Sequence, residues 1–198
     1  MKEPVFYKVV RPVLASWFKL FYRPQYEGLE NIPESGKIIL AGNHTNFFDC
    51  FLVGTATKRC VHFMAKAELM KGIGKHIFTG LGIIPVDRSS VSSGANAVNV
   101  AKKYLDDEKL IAIFPEGTIN RTDDIMMPFK GGAVKIALDG STKIVPFAIT
   151  GKYTLFKKNV KIKFMPAMEV ERGGLKVANQ KLYQTVRDEL KKYAEGVK

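Results

Sequence analysis

Six short apolar segments, rich in Ile, Val, Leu and Phe, recur along this chain at residues 37–41, 61–65, 82–86, 110–114, 144–149 and 160–164. Their length and β-branched content predict strands. Stretches with helical periodicity lie between several of them, at 47–57, 92–107 and 131–139. A last one, at 176–194, puts Ala178, Leu182, Val186, Leu190 and Tyr193 on a single stripe. Strands that alternate with helices are connected by crossovers that lay helices against the sheet. The pattern therefore predicts the α/β class: a single-domain sandwich with a mixed, largely parallel sheet flanked by helices. Loops at the strand ends then carry His44, Arg88 and Glu116, and open α/β sheets bind ligands at such loops.

The first 24 residues stand apart from this alternation. Residues 4–23 predict an amphipathic helix opened by Pro4. At about 100° per residue, Phe6, Val9, Val10, Val13, Leu14, Trp17, Leu20 and Phe21 share an arc of about 140°. Lys8, Arg11, Lys19 and Arg23 share another of about 120°. Such a helix can lie in a membrane interface, aromatics in the lipid and cations toward anionic headgroups, or it can cover a core. The expected division is an interfacial helix over 1–24 and a catalytic domain over 25–198.

Charge narrows the partners. The 198 residues carry a formal net charge of +12, which favours an anionic partner: nucleic acid, a phospholipid surface or a phosphorylated substrate. No zinc finger, RNP-type aromatic motif or dense Lys/Arg run is present, so no nucleic acid is expected. No run of 18 apolar residues and no cleavable leader pattern occur, so the expected location is cytoplasmic and peripheral to the membrane. The two cysteines, Cys50 and Cys60, lack metal-ligand spacing and are expected to be incidental thiols.

The chemistry concentrates in Asn43-His44-Thr45-Asn46-Phe47-Phe48-Asp49. A general base needs an imidazole whose second nitrogen is held by an acceptor, and Asp49 can be that acceptor for His44. On a continuous helix the two would point about 140° apart. They converge only if His44 lies on a strand-to-helix turn and Asp49 on the first helical turn, with Asn43, Thr45 and Asn46 as caps. No serine or cysteine nucleophile accompanies the pair, so the base is expected to activate a substrate hydroxyl. No Gly-x-Ser-x-Gly elbow or Walker motif occurs. His62 and His76 have no partner at metal-ligand spacing, so neither a metal nor a redox cofactor is expected.

Four further segments accompany the His-x4-Asp run: Lys66-Ala67-Glu68-Leu69, Gly82-Ile83-Ile84-Pro85-Val86-Asp87-Arg88, Phe114-Pro115-Glu116-Gly117-Thr118 with Arg121, and Ile144-Val145-Pro146-Phe147-Ala148-Ile149. Phe129-Lys130-Gly131-Gly132-Ala133 also fits. In this order and spacing they make residues 25–170 resemble the glycerolipid acyltransferases. The family often carries an arginine directly after Glu-Gly-Thr, where this chain has Ile119.

The resemblance implies transfer of a fatty acyl group from acyl-CoA or acyl carrier protein to the sn-2 hydroxyl of 1-acylglycerol 3-phosphate, giving phosphatidic acid at a membrane surface. Glycerol 3-phosphate or another lysophospholipid are alternative acceptors, and a non-catalytic lipid-binding protein is the alternative of another class. His44 would be the base and Asp49 its orienting acid. Arg88, Arg121 and Lys66 would hold the acceptor's phosphate. Glu116 would accept from a glycerol hydroxyl or hold an arginine, with Gly117 and Thr118 beside it. The oxyanion would be met by backbone N–H groups at the start of the helix following His44, or by another donor.

Overall fold

The structure, a computed structural model, describes residues 5–70, 79–86, 91–171 and 173–196. Seven strands form one sheet: β1 (Gln25–Glu27), β2 (Ile38–Gly42), β3 (Val61–Lys66), β4 (Ile84–Val86), β5 (Leu110–Ile113), β6 (Ile144–Gly151) and β7 (Val160–Phe164). Their spatial order is β1-β7-β6-β2-β5-β3-β4. All neighbours run parallel except β6 and β7, which are antiparallel. The six expected strands are all present. β1 was not expected, because three residues are too few to show a period; its pairing with β7 defines it.

Among the described residues, five α-helices flank the sheet: α1 (Val5–Tyr22), α2 (Asp49–Thr55), α3 (Val91–Asp106), α4 (Gly132–Asp139) and α5 (Leu175–Gly196). The central strand β2 is buried at every position. Its alternate residues serve different layers. Ile38 and Leu40 join Leu52 and Val53 of α2 and Phe18 of α1. Ile39 and Ala41 join Ala101 and Leu105 of α3, Val134 and Ala137 of α4, and Leu182 and Val186 of α5. Burial on both faces explains why the strands read as unbroken apolar runs rather than as alternations.

The α1/α2 layer positions the site. Phe18 is fully buried and its ring packs against Tyr22, Phe48, Phe51 and Tyr153. Truncating such a side chain to Ala costs about 3–5 kcal/mol. Tyr7 and Ala15 are buried on the same side of α1, while Val9, Val13, Trp17 and Leu20 remain largely exposed. The helix thus covers the core with one face and presents an apolar stripe with another. Arg11 departs from the expected cationic arc. It turns inward and donates to the Thr57 carbonyl oxygen just past α2. Among the described residues, no helix is long and apolar enough to cross a membrane.

Candidate active site

β2 delivers His44 to the sheet's edge through one polar residue. Asn43 is buried, and its side chain both donates to the Ile149 carbonyl (2.9 Å) and accepts from the Ile149 N–H (2.7 Å). It does not cap α2. It staples the end of β2 to β6, and both polar groups of the buried amide find partners. Asn46 makes the turn instead: its side-chain oxygen accepts from Phe48 N, and its carbonyl from Asp49 N. This Asx turn places Asp49 at the first position of α2, folded back on His44.

The pair meets. His44 Nδ1 lies 2.9 Å from Asp49 Oδ2. A carboxylate can only accept, so Nδ1 carries the hydrogen and, in the neutral imidazole, Nε2 keeps its lone pair. Asp49 is fully buried, whereas the His44 side chain is 15% exposed. Five other contacts hold the carboxylate. Oδ2 accepts from the backbone N–H groups of Thr45 (2.6 Å) and Asn46 (2.8 Å), and Oδ1 from the Tyr153 hydroxyl (2.6 Å). The Thr45 hydroxyl lies 3.2 Å from Oδ1 and 3.5 Å from Oδ2. Phe114 stacks on the imidazole with centroids 3.9 Å apart and planes 13° from parallel. Ring plane, tautomer and position of His44 are therefore all determined before a substrate arrives, as a base aimed at a single proton requires.

Those contacts narrow one expectation. Four of the amides after His44 are engaged: Thr45 and Asn46 donate to Asp49, Phe48 to the Asn46 side chain and Asp49 to the Asn46 carbonyl. They organise the acid and are not presented to an oxyanion.

Glu116 follows β5 and is buried. Its Oε1 accepts from His44 N at 2.7 Å and its Oε2 from Met127 N at 2.9 Å. The carboxylate thus ties the His44 backbone to the 120–127 loop. Burial pushes its pKa above the ordinary carboxylate value, against the opposing pull of the His44 and Met127 N–H groups. Gly117 adopts a left-handed conformation with φ 78°, and a Cβ there would come within 2.8 Å of Lys130 Nζ. Glycine relieves both constraints and leaves the Lys130 ammonium beside the Glu-Gly-Thr turn. Thr118 and Arg121 are exposed, and Asn120 N donates to the His44 carbonyl oxygen. Lys66 ends β3 in register with Val86 of β4. Arg88 and His76 lie outside the described residues. His62 is buried on β3, with Nδ1 2.7 Å from the Gly82 carbonyl oxygen.

A cavity of about 410 Å³, lined mostly by apolar side chains, opens beside the dyad. His44, Gly117, Thr118 and Ile119 line it together with Leu14 of α1, Phe51 of α2, and Val61 and Phe63 of β3. Ile119, where the resemblance leads one to expect arginine, thus adds apolar surface. Cys50 also lines the cavity, but burial first and the Asp49 charge second push its thiol up to about 12. It remains a thiol at neutral pH and is a poor nucleophile. An oriented imidazole beside an apolar cavity, with no activated nucleophile among the described residues, suits direct transfer between two bound substrates.

The profile of the family described as Acyltransferase matches residues 23–150. The chain belongs to the acyltransferase family. It is 36% identical over 135 residues to a 1-acyl-sn-glycerol-3-phosphate acyltransferase of Borreliella burgdorferi, covering 67% of this chain and 53% of that protein. It is 33% identical over 135 residues to the Bacillus subtilis protein of the same name, covering 65% of each. The human alpha form is 28% identical over 139 residues, covering 69% and 48%. The chain thus spans about half to two thirds of the length of these curated relatives. The crystal structure of the 1-acyl-sn-glycerophosphate (LPA) acyltransferase PlsC from Thermotoga maritima superimposes with a TM-score of 0.74 at 21% identity, covering 93% of this chain and 80% of that one. At that identity the likeness concerns the fold.

Three residues of the site have roles that the sequence expectations did not give them. Phe114 belongs to the block that contains Glu116, but nothing local assigns its ring to His44. Tyr153 lies 104 positions from Asp49, and Asn43 was expected only as a cap. Proximity to a motif was a signal for the first and third. Tyr153 had none.

Proposed function

We propose that this chain transfers a fatty acyl group from a thioester carrier to the sn-2 hydroxyl of 1-acylglycerol 3-phosphate, forming phosphatidic acid. The observation that carries this reading is the His44–Asp49 pair, bonded through Nδ1, beside an apolar cavity. The names of the relatives support the choice of acceptor. Acyl-CoA or acyl carrier protein would be the donor, and both are anionic partners suited to a chain of net charge +12.

The steps follow from the geometry. His44 Nε2 takes the proton of the acceptor hydroxyl as its oxygen attacks the thioester carbonyl. Asp49 keeps the ring aimed and stabilises the imidazolium that forms. The tetrahedral intermediate then loses its C–S bond, and the departing sulfur takes the proton back from Nε2. Phosphate recognition would fall to Arg121 and Lys130 near the Glu116 loop; the family resemblance adds Lys66 and Arg88 to the set. No metal or redox cofactor is needed for these steps. The exposed stripe of α1, Val9, Val13, Trp17 and Leu20, would rest on a phospholipid surface, placing the enzyme peripherally on the cytoplasmic side.

The test is acyl transfer by purified protein with acyl-CoA or acyl carrier thioester, offered 1-acylglycerol 3-phosphate, glycerol 3-phosphate or a neutral-headgroup lysophospholipid. Transfer to the first acceptor is expected to dominate. His44→Ala should abolish it, a loss of at least about 10²-fold, without altering the fold. Normal turnover in that variant would eliminate the base. A preference for glycerol 3-phosphate would move the assignment to the earlier acylation. No transfer by the wild type would leave a lipid-binding role.

A further inference from the structure

We propose that the loop between β6 and β7, residues 152–159, is a second membrane-inserting element, with Leu155 and Phe156 at its tip. The proposal rests on α1 facing lipid, and extends that footprint to a part of the chain more than 130 residues away in sequence.

Leu155 and Phe156 are 54% and 55% exposed at the tip of a tight turn. Two adjacent large apolar side chains in water are unfavourable for solubility and contribute little to a core. The backbone makes the arrangement more unusual. Phe156 has φ 60°, in the left-handed region that bulky residues rarely occupy. An Asn or Gly would fit that conformation with less strain, so core packing and turn geometry both disfavour the aromatic ring.

α1 holds the tip in place. Phe156 N donates to the Phe21 carbonyl oxygen, and the two rings lie 5.3 Å apart. Phe21 in turn lies 5.4 Å from Trp17. An aromatic path therefore runs from the exposed stripe of α1 to the loop, making one apolar surface from two segments. Tyr153, on the same loop, is anchored to Asp49. The tip is thus fixed relative to the dyad.

Charge selects the occupant. Lys152, Lys157 and Lys158 are exposed around the tip, and Arg23 is exposed just past α1. An apolar point within a ring of cations matches the boundary between acyl chains and anionic headgroups, where each cation adds to the attraction. A second copy of this chain would bring its own lysines against these and is disfavoured by like-charge repulsion.

The experiment uses the full chain and sedimentation with vesicles of phosphatidylglycerol and phosphatidylcholine, beside pure phosphatidylcholine. Leu155→Ser with Phe156→Ser should weaken binding to the anionic vesicles about tenfold while leaving circular dichroism unchanged. Since Phe156 touches α1, a second variant guards against loss of fold. The chain has one tryptophan, so Leu155→Trp in a Trp17→Phe background reports on the tip alone. Its fluorescence should shift to the blue and be quenched by brominated acyl chains.

Unchanged vesicle binding in the serine variant, or a tip tryptophan that stays in water, would overturn the proposal. If Val13→Ser with Leu20→Ser abolishes binding while the tip variant binds normally, the α1 reading stands and the tip proposal falls. If the wild type ignores vesicles and self-associates through the tip, both fall.

Discussion

Replacing Asp49 with Asn separates the charge of the acid from its shape. The carboxamide fits the site in one orientation. Its oxygen can take the place of Oδ2 and keep the contacts from His44 Nδ1, Thr45 N and Asn46 N. Its NH2 then meets the hydroxyls of Tyr153 and Thr45, which can accept as well as donate. The imidazole keeps its tautomer and aim, and what disappears is the negative charge opposite the imidazolium. With Nδ1 and Oδ2 2.9 Å apart, the charge centres lie about 4 Å from each other. At an effective dielectric constant of about 20 they attract by about 4 kcal/mol. That attraction exists only while the imidazole is protonated, so it acts on the transition state and not on the bound substrates. Asp49→Asn is therefore expected to lower kcat about a thousandfold, with the acceptor's KM little changed. Initial rates of thioester cleavage across acceptor concentrations read both constants. A loss of less than about tenfold would show that Asp49 only positions the ring, and the electrostatic account of the dyad would be refuted.

Two further predictions concern the residues that support the dyad. Tyr153→Phe keeps the ring contacts with Phe18, Tyr22 and Phe48 but removes a 2.6 Å donor from a buried carboxylate. It should cost about 1.5–3 kcal/mol of stability, seen as a lower Tm, and unchanged unfolding would show that the bond contributes nothing net. Burial and the Asp49 charge hold the Tyr153 phenol well above its ordinary range, so it remains a donor across the working pH. Glu116 has a raised pKa caused chiefly by burial. A carboxyl whose folded value exceeds its unfolded value contributes stability that is present below the unfolded pKa and lost as pH rises through the folded one. Glu116→Gln removes the titration, so the wild-type-minus-variant difference in unfolding free energy should decline as pH rises through that window. A pH-independent difference in denaturant midpoints would contradict the burial.

The layers of this protein were legible because they depend on local periodicity. Segments such as Ile38–Ala41 and Ile144–Ile149 are apolar throughout because helices cover both faces of the sheet. The His44–Asp49 pair was legible for a related reason. A turn followed by the first turn of a helix brings positions five apart together, and the local residues encode that geometry. The amphipathic pattern of α1 was visible too, but not which sides it buries. Arg11 sits among the cations on a helical projection, yet faces inward, because the carbonyl of Thr57 and the packing of α1 on α2 lie on that side.

The chain's own order of residues determined the α/β alternation, the pairing of His44 with Asp49, and the family. Tertiary structure alone decided what immobilises that pair: Tyr153 on Asp49, Glu116 beneath the His44 amide, Asn43 on Ile149 and Phe114 against the imidazole. Periodicity arises from neighbours within a turn or two of backbone. These contacts join strand ends up to 106 positions apart, and only the order in which strands pack in the sheet brings them together.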